Sequence, residues 1–415
     1  MLVTDLLAPF ATRWGRRVRS ELDLVPHPSD AARQFIAGPD PDRVLVLGNG
    51  PAIGFGVLTQ ELALPGHLAR RLATATGRGA TVDVLARRGT TAASAPALLA
   101  EARMSHYDAV VLCVGSSDAY NLLPEERWRS DLAQLLDALR AATTPDTVLA
   151  LLAIRPVQRP NAALGQAGRL VDGHADRLDR IAADVCARRH GVVHLAATAT
   201  LPAAPRTAAE YDRLAERIAP ELTERLDRLA LRPARASARA VRAQPDPEDE
   251  RQDALDRSRL ALTGSSPRLD RLLHTARELF GISGAAVTLV DGDRVTFKSA
   301  IGFEPQDVAR SIAPCDRTIR QHGAMVLGDL AVESMVADGW RFYAGHPLES
   351  PDGYRIGALC LLDTRPHEPL TVDRVALAEV AARVEAQLWA EVARTASSEH
   401  VEQDPDPRSR LAAAG

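Results

Sequence analysis

Lysine is almost missing from this chain: apart from Lys298, its 50 basic residues are arginines. Without a Gly-Lys-Ser/Thr run there is no Walker phosphate loop. The four cysteines, Cys113, Cys186, Cys315 and Cys360, form no C-x-x-C pair. Neither a disulfide framework nor a thiolate zinc site is therefore expected, no metal site is assigned, and a reducing cytoplasm is the expected location. No apolar run approaches the ~18 residues of a membrane span; "VLALLAI" (148–154) is strand-length. A net charge of −4 supplies no positive field, so neither nucleic acid nor an anionic membrane is expected as a partner. The first residues place Asp5 before any basic side chain, unlike a secretory leader.

What is present is a globular composition, 46% hydrophobic and 25% charged over 415 residues, enough for two or three domains. The arginine and alanine usage reads as GC-rich coding. Residues 1–40 form an extension in which Phe10, Trp14, Val18 and Leu22 recur every four residues, a pattern that predicts an amphipathic helix. From 41 to 228 strand-like runs (43–48, 81–86, 108–114, 147–154, 192–197) alternate with helical ones (66–76, 94–104, 126–143, 174–190, 207–222). Continuously apolar strands separated by helices predict a doubly wound α/β domain with a parallel, flavodoxin-like sheet. Its functional residues belong in the loops after the strand C-termini.

Residues 229–258 are rich in Arg, Ala, Pro and acidic residues and read as a solvated linker. From 259 to 395 the pattern becomes a helix (267–280), strand pairs around Asp291-Gly292-Asp293 and around Pro351-Asp352-Gly353, and a closing helix from Val372 to Val392. This predicts an α+β domain with an antiparallel sheet. The closing helix's apolar stripe continues through Trp389 and Val392, which suggests a homodimer contact. The tail 396–415 is expected to be disordered.

The first loop reads Gly48-Asn49-Gly50, and Gly54 and Gly56 follow. A dinucleotide fingerprint requires glycine where Ile53 stands. The stretch "GNGPAIGFGVLTQELALPGHLARRLA" (48–73), the glycine of "ARRGTTAAS", "VGSSDAYN" (114–121) and "LPAAPRTAAEYDRLAE" (201–216) together resemble the SGNH, or GDSL-like, hydrolases. That resemblance implies a catalytic set whose positions are here altered. The serine nucleophile's place holds Gly50, and the oxyanion asparagine's place holds Ser117, followed by Asp118. Counting back from Tyr211, the Asp and His places hold Pro202 and Pro205; the oxyanion-hole glycine is kept as Gly89. Acyl transfer needs a hydroxyl or thiol, a base and a group that orients the base. Glycine and proline supply none of these, so no catalytic residue is assigned. The alternative is an unusual hydrolase using Ser116 or Ser117 with Asp118. His106, His174, His190 and His194 fall before, beside or inside the predicted elements and read as structural.

The second half resembles the GAF family, through "LFGISGAAVTLVDGDRVTFKSAIG", "IAPCDRTI" and above all "RFYAGHPLESPDGYRIGALCLLD" (341–363). The resemblance implies a sensory module with a ligand cavity on one face of the sheet and flanking helices that dimerise. It places Cys315, Arg317, Arg341 and Tyr343 at the pocket; His322 and His346 are not assigned as haem ligands. No cyclic-nucleotide signature and no bilin-attaching Cys-His pair occurs. The reading is a non-enzymatic regulatory protein: a GAF sensor for a small ligand of open identity joined to a degenerate hydrolase domain, acting through assembly or a signalling protein partner.

Overall fold

In a computed structural model the chain divides into two compact units, residues 1–242 and 243–415. The structure describes residues 25–28, 33–38, 40–154, 165–196, 206–231, 246–332 and 339–402. The helix expected around Phe10 to Leu22 lies outside them, as do Pro202 and Pro205.

The first unit contains β1 (Arg33–Ile36), β2 (Asp42–Gly48), α1 (Leu64–Thr76), β3 (Ala80–Ala86), β4 (Ala109–Cys113), α2 (Ser116–Tyr120), α3 (Glu125–Ala142), β5 (Val148–Leu152), α4 (Gly165–Ala187), β6 (Val192–Leu195) and α5 (Ala208–Ala230). The strand order is β1-β3-β2-β4-β5-β6, parallel throughout except for β1. Successive side chains of a strand point to opposite faces, so an apolar run must be covered on both. Val44 and Val46 pack with Leu64, Leu68, Tyr211 and Leu214. Leu45 and Leu47 pack on the other face with Trp128, Leu132, Leu135 and Leu178. Each such leucine, once buried, contributes about 2 kcal/mol. The fully buried Trp128 donates its indole N–H to the Leu178 carbonyl (2.9 Å) and so locks α3 to α4. A reciprocal Thr207–Glu210 capping box starts α5, and the Tyr211 hydroxyl donates to the Phe55 carbonyl (3.0 Å), tying α5 to the loop after β2.

The second unit contains α6 (Glu248–Ser258), α7 (Pro267–Phe280), β7 (Gly284–Asp291), β8 (Arg294–Ile301), β9 (Val308–Ala309), α8 (Pro314–Ile319), β10 (Met325–Leu327), β11 (Phe342–Glu349), β12 (Arg355–Asp363) and α9 (Arg374–Glu402). Its sheet is antiparallel throughout, in the order β10-β11-β12-β7-β8-β9. Alternation again divides the side chains. Val287, Leu289, Phe342 and Leu359 face Leu269 and Leu273 of α7 and Leu377, Val384 and Leu388 of α9. Ala286, Tyr343, Ala358 and Cys360 face the other way, toward α8 and the loops around it.

Four sequence expectations need correction. Residues 33–36, assigned to the extension, form an antiparallel edge strand pinned by the Arg33–Asp83 ion pair (2.7 Å). The expected helix at 94–104 is a 3₁₀ segment, Ala95–Glu101, tightened by bonds of the Thr91 backbone and side chain to Ser94. The solvated linker of 229–258 is helical at both ends. α5 runs to Ala230, and α6 packs on the second unit by burying Arg251, Ala254 and Leu255. Arg251 donates to the Val290 carbonyl (2.7 Å) and is also held by Glu248, a polar seam that leaves no hydrophobic periodicity to read. Finally, α9 continues to Glu402, and Trp389 and Val392 pack on their own unit's core. The Trp389 indole N–H donates to the Glu349 carbonyl (3.0 Å), so this end of the stripe contributes to packing within its own unit.

Candidate functional site

In the parallel sheet, β3 lies on one side of β2 and β4 on the other, so the chain reverses its direction of winding at β2–β4. Ligand sites of such sheets form outside the strand C-termini at that switch point. Here the strand ends are Gly48 and Cys113. Gly48 has φ +128°, and a Cβ on it would sit 2.3 Å from the Cys113 carbonyl oxygen, so the close approach of β2 to β4 requires glycine. The Asn49 N–H donates to that same carbonyl (2.7 Å). Its side-chain amide donates to the Ser117 hydroxyl (2.7 Å).

Gly50 opens a short 3₁₀ turn at φ +57°, with open space where a side chain would project; the nearest atom is the Ser116 hydroxyl, 3.8 Å from an added Cβ. Ser117 and Asp118 are buried in the first turn of α2. Both Asp118 oxygens accept from the Ala92 N–H (3.4 Å), and burial pushes this carboxyl up to about 6. Gly89 is exposed on the loop after β3. That loop is tied at one end to the Gly48 carbonyl by the Arg87 N–H (3.0 Å) and at the other to Asp118 through Ala92. The fold thus gathers Gly50, Ser117, Asp118 and the Gly89 loop at one strand end.

The base is a different matter. His194 is bonded to Asp179 (2.9 Å), His174 to the Leu123 carbonyl (2.9 Å), and among the described residues no histidine bonds Ser116 or Ser117. Asn49, to which the sequence motifs assign no role, neighbours Gly50 and holds the Ser117 hydroxyl, whereas the hydroxyl nearest an added Cβ on Gly50 is that of Ser116.

In the second unit a cavity of about 380 Å³ opens on the face of the sheet that carries Tyr343. Phe297, Phe303 and Trp340 form an aromatic wall, with Phe303 edge-on to both neighbours. The inner end is polar: Thr288, Cys315, Tyr343 and Cys360. The Thr318 and Tyr343 hydroxyls are 2.7 Å apart, and the Cys315 and Cys360 sulfurs 3.3 Å. Of the four residues placed here from sequence, Cys315 and Tyr343 line the cavity. Arg317 and Arg341 do not: Arg317 is exposed, and Arg341, half exposed, donates to Asp329 (2.8 Å) on the surface. Arg341 precedes β11 and so escapes the alternation that turns Tyr343 inward. Cys360 and Trp340 were missed because only strand register and loop return bring them beside Cys315. His346 is bonded to the Pro347 carbonyl (2.9 Å) and does not line the cavity.

Comparison with known proteins matches each half to a different family. Residues 46–230 match the GDSL-like lipase/acylhydrolase family, and residues 266–388 match the GAF domain. The chain therefore carries a GDSL-like domain followed by a GAF domain. A cyclic di-GMP phosphodiesterase of Pseudomonas aeruginosa is 30% identical over 150 residues, which is 34% of this chain and 26% of that protein. The chain thus spans about a quarter of that relative's length. Among solved structures, the lipase/acylhydrolase from Enterococcus faecalis is 16% identical, with TM-score 0.36, over 44% of this chain and 96% of that one. The free methionine-R-sulfoxide reductase from Neisseria meningitidis is 23% identical, with TM-score 0.27, over 31% and 78%. Among the described residues, no helix is long and apolar enough to cross a membrane.

Proposed function

We infer that this chain is a sensory or regulatory protein in which the GAF domain binds a small, largely apolar ligand and the GDSL-like domain is a hydrolase relict serving as a binding or effector module. The observation that carries this reading is the GAF cavity. It has the size, the aromatic wall and the few convergent polar groups of a small-molecule site. The strand end of the other domain has the converse character: open space at Gly50 and, among the described residues, no histidine bonded to Ser116 or Ser117. The alternative, hydrolysis by Ser116 or Ser117 with Asp118, asks for a carboxylate aimed at a serine; Asp118 is instead bonded to Ala92. Dimerisation through the end of α9 is the less favoured form of GAF signalling here, because Trp389 is bonded within its own unit. Output then passes through a partner protein.

The test is thermal unfolding of the full chain against a panel of small aromatic and aliphatic metabolites. A ligand at ~100 times its Kd adds about 2.7 kcal/mol. The shift is expected in the parent chain and is expected to vanish in Ala313→Phe, which fills the cavity from its wall. A shift that survives the filling substitution would sink the cavity as the site.

A further inference from the structure

The inner end of the GAF cavity holds two thiols in contact. The sulfurs of Cys315, in α8, and Cys360, in β12, are 3.3 Å apart, although 45 residues separate them in sequence. A disulfide needs about 2.05 Å, so closure asks the two sulfurs to approach by about 1.2 Å. Both side chains are buried, yet both line a cavity whose rim includes Glu304 and Gln306, which are exposed to solvent. A cavity of about 380 Å³ is many times the volume of a molecule the size of water. A small oxidant can therefore reach the sulfurs, whereas a protein thiol cannot.

We propose that Cys315 and Cys360 are a redox pair, oxidised to an intramolecular disulfide by hydrogen peroxide entering the GAF cavity. In the first step the Cys315 thiolate attacks one peroxide oxygen. The O–O bond breaks, the sulfur is oxidised to a sulfenic acid, and the departing hydroxide takes up a proton and leaves as water. In the second, the Cys360 sulfur attacks the sulfenic sulfur, a second water leaves with the Cys360 proton, and the S–S bond forms. Two electrons pass from the pair of thiols to one peroxide.

Cys315 is assigned the attacking role because its surroundings favour the thiolate. The Cys360 sulfur lies 3.3 Å from it and is itself within hydrogen-bond reach of the Thr288 hydroxyl (3.5 Å) and the Tyr343 hydroxyl (3.6 Å); this cluster, the contact with Cys360 first, holds the Cys315 pKa below the ordinary thiol value. Cys360 is displaced the opposite way, chiefly by burial and then by its neighbour. Its place is that of the resolving thiol. The other two cysteines, Cys113 and Cys186, are buried in the first unit, and burial pushes them up to about 12 and about 11. They serve as internal controls. The proposal concerns the thiols alone and does not require that the cavity bind a metabolite.

The experiment is titration of the native full chain with hydrogen peroxide, followed by thiol counting and peptide mapping. The expected result is loss of two of the four free thiols, a mass lower by two hydrogens, and a 315–360 cross-linked peptide that a reductant reverses. Cys360→Ser is expected to stop at the first step, with Cys315 captured by a sulfenic-acid-specific dione; Cys315→Ser is expected to form neither adduct nor cross-link. The Cys113→Ser/Cys186→Ser double variant should behave as the parent. Retention of all four thiols in the folded chain, loss of Cys113 or Cys186 instead, or a cross-link between two chains would each overturn the proposal.

Discussion

The side-chain amide of Asn49 is bonded to the hydroxyl of Ser117 across 2.7 Å, bridging the two strand ends where a GDSL-like hydrolase would carry out its chemistry. The Ser117 oxygen is held by this amide, and among the described residues no histidine is bonded to it. Asn49→Ala is expected to leave Ser117 buried and without that donor, at a cost of about 1 kcal/mol. No ester hydrolysis is expected to appear. Urea unfolding checks the first statement and a chromogenic acetate ester the second.

Restoring the missing hydroxyl alone is expected to fail. Gly50→Ser has room, since its Cβ would meet only Ser116 at 3.8 Å, but it places a non-glycine residue at φ +57°. That conformation costs about 1 kcal/mol, and among the described residues no histidine is bonded to the neighbouring Ser116 or Ser117 to serve as its base. Lower stability with background esterase rates is the expected pair of results. Turnover lost again on Asp118→Asn would instead revive the hydrolase reading.

Asp118 gives the first domain a pH signature. Its carboxyl, ordinarily near 3.8, is raised to about 6 by burial, so between those two values the folded chain holds a proton that the unfolded chain has lost. Stability contributed by this residue is therefore greatest in acid and falls as pH rises through the window, by about 3 kcal/mol in all. Asp118→Asn keeps an acceptor for Ala92 and removes the charge. Its stability is expected to exceed that of the parent at pH 7 and to approach it near pH 4, as urea midpoints at the two pH values would reveal.

The second domain depends on residues that the sequence assigned to a linker. Asp246 accepts from both the backbone N–H (2.8 Å) and the Nε (3.1 Å) of Arg355 at the start of β12, and both side chains are about 95% buried. Removing one member of a buried ion pair strands the other, at about 3 kcal/mol or more. Asp246→Ala is expected to lower the unfolding midpoint of the GAF domain by that amount and leave the GDSL-like domain's transition in place. An unchanged midpoint would mean that the pair adds nothing net.

Much of this architecture was legible because its signals are periodic. The apolar runs at 43–48 and 108–114 had to be interior strands, and the turns at Asp291-Gly292 and Pro351-Asp352-Gly353 had to join hairpins. β1 was illegible because four residues, Arg-Gln-Phe-Ile, are too short to establish alternation, and α6 because its buried face includes an arginine. At the first site Gly50 and Ser117 stand in ordered motifs that the sequence displays; the Asn49–Ser117 bond is not legible there, being a contact across 68 residues. In the cavity, Cys315 and Tyr343 were found through family motifs. Their neighbours Cys360 and Trp340 come from segments that carry no mark of facing inward until strand register is known.

The Asp246–Arg355 pair also fixes how the sensor can be transplanted. The match to the GAF family begins at residue 266, 20 positions after Asp246. A graft spliced at that boundary would discard α6 and deprive Arg355 of its carboxylate. The portable unit starts before Asp246, and any chimera meant to report on the cavity has to bring that strap along.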